Sequence, residues 1–160
     1  MRYVTLQALV PAADPGACFD RISDFARYPE LTDVVRSVAV HPAAPGGLEH
    51  SDWEVYFRNG ILRWSETDSK DELGRRIAFE QTDGDFDSLT GSWSISAASD
   101  GCAVTFETAF DFGIPSLAGI LDPIAERVFK ETIARVLAGL FGSVEVVGDP
   151  KIAQVIAGVT

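Results

Sequence analysis

Glu66 is the residue in this chain best placed to do chemistry. It lies in the segment DWEVYFRNGILRWSETD, residues 52–68, where two alternating runs flank an Asn59-Gly60 turn signal. In the first run Trp53, Val55 and Phe57 share one face, and Glu54, Tyr56 and Arg58 the other. In the second, Leu62, Trp64 and Glu66 share a face, opposite Ile61, Arg63, Ser65 and Thr67. The apolar face of the second strand therefore carries a carboxylate. In an apolar interior such a group has a raised pKa and can act as general acid or base near neutral pH. A bulge or register slip that turned Glu66 outward, or a nearby cation, would instead leave it structural.

Other side chains on inward-reading faces could help. Gln81 and Thr108 could hold a carbonyl or hydroxyl of a ligand, or could make core hydrogen bonds. Trp53, Trp64, Trp93, Phe79 and Phe106 could stack on a planar molecule or simply fill the core. Arg63 and Glu80 read as an exposed cross-strand ion pair. His41 and His50 have no well-placed third ligand, so no metal site is expected. Ser65 and Ser92 lack an Asp/His constellation, and no phosphate loop or dinucleotide fingerprint occurs, so no cofactor is implied.

The elements that must position these residues follow from periodicity. A strand is expected over 2–10, with Tyr3, Leu6 and Leu9 as its apolar content. Asp14-Pro15 opens a short helix over 15–22, and Ser23 or Asp24 caps a second that stops before Pro29. Strands follow at 34–40, in the hairpin, at 76–82 ahead of an Asp83-Gly84 turn, at 89–95 and at 104–112. A long helix then starts at Asp122-Pro123 and ends at Gly142. Its apolar stripe includes Leu121, Val128, Ile133, Val136 and Leu140, with Val136 contributing to a ligand-facing wall. Glu126–Lys130 and Glu131–Arg135 read as pairs on the exposed face.

This order predicts an α+β domain over residues 1–142, with 143–160 as a tail. A curved antiparallel sheet of about six to seven strands wraps the helix. So many strands cannot all touch one cylinder of about 10 Å, and the gap left between them is the natural ligand site.

Composition narrows the function. Apolar residues make up 46% and charged residues 23% of the 160, as in an ordinary globular protein. A net charge of −11 argues against binding nucleic acid or anionic membrane, and no apolar run is long enough to span a bilayer. Cys18 and Cys102 read as isolated thiols, which fits a reducing cytoplasm without a disulfide.

The segments FDRISDFARYPEL (19–31), GDFDSLTGSWSI (84–95) and VTFETAFDF (104–112) carry a resemblance over residues 3–142. The chain resembles the polyketide cyclase/dehydrase family, with its coenzyme Q-binding branch, within the START-like helix-grip superfamily. The resemblance implies a helix-grip fold binding apolar, often aromatic or polyketide-derived molecules in the gap. It places Tyr28 where relatives have an aromatic before Pro-Glu-Leu, and Trp64 at a tryptophan of the fourth strand. A Ser-x-Arg pattern expected just after that tryptophan reads Glu66-Thr67-Asp68 here, and the Arg of the next strand is missing from IAFEQTD. Two functions are consistent with this. One is a cofactor-independent cyclase or dehydratase using Glu66, with Gln81 or Thr108 holding an enolate oxygen. Its substrate would be a hydrophobic molecule or a poly-β-ketone presented by an acyl carrier protein. The other is a carrier for a lipophilic molecule such as a quinone or lipid. The protein is expected to be a monomer or homodimer, and the acidic charge disfavours a ribosome-binding role like that of some relatives.

Overall fold

The alternation in Arg2–Pro11 (β1) buries Val4, Leu6, Ala8 and Val10 and turns Tyr3 and Leu9 outward, one residue out of phase with the sequence expectation for those two. In the computed structural model, which describes residues 1–157 apart from positions 44 and 46, this strand is followed by Pro15–Ser23 (α1). Asp14 caps α1 by accepting from the Ala17 amide at 3.1 Å. A 3₁₀ turn at Phe25–Arg27 leads into Tyr28–Leu31 (α2). Pro29 sits in the first turn of α2 and so begins a helix where it was expected to stop one. The first turn needs no N–H from it.

Six strands follow in meander: Val35–His41 (β2), Glu49–Phe57 (β3), Gly60–Asp71 (β4), Arg76–Gly84 (β5), Ser88–Ala98 (β6) and Gly101–Asp111 (β7). The β3–β4 hairpin turns at Arg58-Asn59, one residue earlier than expected, with Phe57 opposite Gly60 and Arg58 at φ 56°. β5 runs on through Asp83 and Gly84, the pair expected to form its turn.

The long helix is Pro115–Phe141 (α3), ending at Gly142 with φ 76°. It starts seven residues before the expected Asp122 cap, so Pro123 lies inside it. Pro115 supplies the first-turn proline that Pro123 was expected to be. The first two turns are mostly exposed, whereas Ala125, Thr132, Ile133, Ala134, Val136, Leu137 and Leu140 are buried against the concave face of the sheet.

Residues beyond Gly142 join the fold. Glu145–Val147 (β8) pairs with β1, giving eight antiparallel strands in the order β2-β3-β4-β5-β6-β7-β1-β8. Pro150–Ala157 (α4) packs on α3 through the buried Ile152. Asp149 accepts from Lys130 at 3.1 Å, so the face of α3 expected to be open is partly covered. Lys130, Glu131 and Arg135 are half-buried. Glu126–Lys130 forms at 3.4 Å, but Glu131 pairs with Arg127 at 2.7 Å, not with Arg135.

The cysteines also depart from expectation. Packing of α1 on the end of β7 brings Cys18 and Cys102 together across 84 residues, and they are joined as a disulfide. Two isolated thiols no longer argue for a reducing cytoplasm, since structural disulfides persist in oxidising surroundings.

Candidate functional site

The inner face of the β3–β4 ladder builds the site. Register sets Trp53 opposite Trp64 and Ser51 opposite Glu66. The two indoles stack in parallel, centroids 5.9 Å apart, and Trp53 also meets Phe25 and Tyr28 edge-on. Beyond them Trp64 contacts Phe86 and Phe129, joining a second ring cluster with Phe110. Between these walls and α3 lies a cavity of about 50 Å³. Val128, Phe129, Thr132 and Ile133 form its roof, while Phe79, Trp93 and Phe106 close its far side.

Gly91 makes that far wall possible. A Cβ there would come within 2.2 Å of the Phe79 ring, so only glycine lets the ring lie across β6 and stack on Phe106.

Glu66 faces this cavity and is 3% exposed. A register shift between β4 and β5 does occur beside it: Ser65 pairs with Asp83, but Glu66 pairs with Gln81. The extra residue, Thr82, is on β5. β4 therefore keeps its alternation and Glu66 stays inside. Trp64 Nε1 donates to Glu66 Oε1 at 2.8 Å.

The next inward position on β4 is Asp68, 2% exposed and hydrogen-bonded to Glu66. Two carboxyl groups can share a hydrogen bond only if one holds a proton. Burial, and then Asp68 beside it, push the Glu66 carboxyl well above its ordinary range, against the opposing Trp64 N–H. The shift favours the protonated form of Glu66. On the other side, Trp53 Nε1 donates to Ser51 Oγ at 2.8 Å, and Ser51 donates to Asp68 Oδ2 at 2.6 Å. Tyr28, fully buried, donates to the Ile22 carbonyl at 2.6 Å. Burial first, then Glu66, Asp24 and Asp68, raise its phenol well above the usual value.

Of the residues singled out in the sequence, Glu66, Tyr28, Trp53, Trp64, Phe79, Trp93 and Phe106 meet at the cavity. Gln81 lies beside Glu66 in the ladder, but its amide donates to the Phe86 carbonyl at 2.8 Å and it is not in the lining. Thr108 donates to the Thr90 carbonyl at 2.7 Å, and Val136 is fully buried; neither reaches the cavity. Ser51 and Asp68 were missed, as were Phe25 and Phe129 as cavity walls. For Asp68 the signal was present: the two-residue period through 62, 64 and 66 continues to 68.

Outside the site, Arg63 pairs with Glu54 at 2.6 Å rather than with Glu80, because Glu54 is its register partner. His41 bonds Asp52 at 2.7 Å. Among the described residues no three His, Cys, Asp or Glu side chains are grouped to hold a metal, and no helix is long and apolar enough to cross a membrane.

Comparison with solved structures shows the same fold at low identity. TTHA0849 from Thermus thermophilus superposes with a TM-score of 0.75 at 20% identity, covering 99% of both chains. The Zhui aromatase/cyclase from Streptomyces sp. R1128 gives 0.68 at 16% identity, covering 88% of this chain and 93% of that one. A START superfamily protein from Mycobacterium smegmatis gives 0.68 at 16%, covering 88% and 94%. No curated protein matches the sequence. The sequence model of one family, described as polyketide cyclase / dehydrase and lipid transport, matches residues 11–137, and the chain belongs to that family.

Proposed function

We propose that this protein binds a hydrophobic aromatic or poly-β-ketone molecule between α3 and the sheet, and promotes its aldol-type closure and loss of water. The observation that carries the reading is the buried Glu66–Asp68 pair at the edge of an aromatic cavity. A protonated Glu66 can give its proton to a departing hydroxyl, which leaves as water. The carboxylate so formed can take a proton from the carbon next to a carbonyl, restoring the acid. The aromatic walls contribute by holding a flexible chain in a folded shape. A poly-β-ketone would arrive tethered to an acyl carrier protein.

Size sets a condition. Pockets for ligands of this class run to roughly 300–1,000 Å³, and the cavity here is about 50 Å³. Binding therefore requires lining side chains to move aside.

A carrier of a lipophilic molecule such as a quinone is the second reading. It is favoured by the satisfied state of Glu66, which already bonds Trp64 and Asp68 and could serve as a fixed anchor. Ligand binding is read from the fluorescence of Trp53, Trp64 and Trp93, which should be quenched by a micromolar aromatic polyketide or quinone. An unchanged emission across a broad panel would count against both readings. Glu66→Gln then separates them. If the protein is an enzyme, the variant binds nearly normally and loses about 10²–10⁴-fold in turnover. If it is a carrier, affinity changes modestly and neither form turns over substrate.

A further inference from the structure

We infer that Asp68 is a proton port, passing protons between a solvent groove on the outside of the molecule and Glu66 in the cavity. This rests on the reading of Glu66 as a proton donor and acceptor. Over one closure and water loss Glu66 gives one proton and takes one back, but it must hold that proton before the first turnover, and a carboxyl sealed in an apolar cavity can load it only through a polar contact with solvent. The cavity is small and apolar and offers no chain of polar groups of its own beyond Glu66, Tyr28 and Thr132. Tyr28 is committed to the Ile22 carbonyl and Thr132 to the Val128 carbonyl. Asp68 is the exception, because it stands between Glu66, which lines the cavity, and the outside of the molecule. It is hydrogen-bonded to Glu66, and it also forms part of the floor of an outer groove of about 690 Å³.

The local bonds suit Asp68 to this task. Trp53 donates to Ser51, so the Ser51 hydroxyl proton points at Asp68 Oδ2. Oδ1 is buried and has no hydrogen-bond partner, so it is not committed to another donor. Ser23 Oγ, on the same groove, is likewise buried without a partner. The titratable groups around Asp68 are Glu66 and Tyr28 on the cavity side, and Glu49, Lys70, Asp20 and Glu72 on the groove side. Lys70 is held by Glu49 at 3.2 Å and by the Ser23 carbonyl at 2.8 Å, so it flanks the port without capping Asp68.

The balance is simple. Before it is loaded, Glu66 carries no proton. A proton from groove water settles on Asp68 and passes across the hydrogen bond to Glu66. No other bond forms or breaks. Asp68 acts through Glu66 and is a positioning residue.

The test follows the infrared band of the protonated Glu66 carboxyl, identified as the band lost in Glu66→Gln, after rapid mixing of the protein into heavy water. In the native protein the band should shift to its deuterated position rapidly. In Asp68→Ala burial still holds the proton on Glu66, so the band should persist, but its exchange should slow by on the order of 10²-fold. Formate, small enough for the vacated space, should restore fast exchange. Asp68→Leu, which replaces a buried charge with an apolar side chain and should fold well, should exchange slowly and resist formate rescue. Fast exchange in Asp68→Leu or Asp68→Ala would overturn the port and leave the role of Glu66 standing. Absence of any band that Glu66→Gln removes would overturn the reading of Glu66 itself.

Discussion

Strands β3 and β4 carry acidic residues on both faces, and the two sets have opposite chemistry. On the outer face, Asp52 accepts from Ser65 at 2.6 Å and from His41, and Glu54 accepts from Ser37 at 2.8 Å and from Arg63. These bonds hold both carboxyls below their ordinary values. On the inner face, Glu66 lies in an apolar cavity beside a second carboxyl and is pushed up. The difference comes from the faces, since the side chains are of one kind and Ser65 and Glu66 are consecutive on β4. Outside, water and donors favour the ion at small net gain, because exposed pairs are screened. Inside, desolvation disfavours the ion and leaves a proton available for use.

A carboxylate placed inside without partners marks the extreme of this contrast. Val136 is fully buried and out of reach of the Ser51, Trp64 and Asp68 bonds. Val136→Asp should cost about 3–5 kcal/mol, seen as a collapse of the melting temperature. A normal melting curve would refute the placement of α3.

The next effect is present at high pH and vanishes at low pH. Glu66 has its folded pKa raised above the ordinary 4.5. Below that value both states are protonated and nothing is lost. As pH rises past it, the unfolded chain ionises while the folded one resists, so folding stability falls. Glu66→Gln has no charge to bury and keeps an acceptor for Trp64. It should melt a few degrees above the native protein at pH 8 and show no such gain at pH 4. An equal gain at both values would remove the raised pKa from the account.

The smallest effect belongs to the outer face. Asp52 has a folded pKa below 3.8, so its contribution exists above that value and fades as pH falls through its folded pKa. Because the group is largely exposed, Asp52→Asn should cost at most about 0.5 kcal/mol at pH 7. A larger loss in denaturant titration would mean the two faces differ less than described.

Much of this was legible in the sequence. Alternation along 61–67 placed Glu66 and Trp64 on the buried face, and the 3.6-residue stripe of Val128, Ile133, Val136 and Leu140 placed α3 over the sheet. Both follow from local geometry, because side-chain direction repeats along a strand or helix whatever lies opposite. Local rules misplaced the start of α3, where Asp122-Pro123 offers as good a cap signal as Pro115. What tertiary structure alone decided was partnership. The disulfide between Cys18 and Cys102, the pairing of β8 with β1, the choice of Glu54 for Arg63 and the bond of Asp68 to Ser51 all depend on register, or on segments distant in the chain. Periodicity can say which way a side chain points, but only the assembled sheet and helix determine what it meets there.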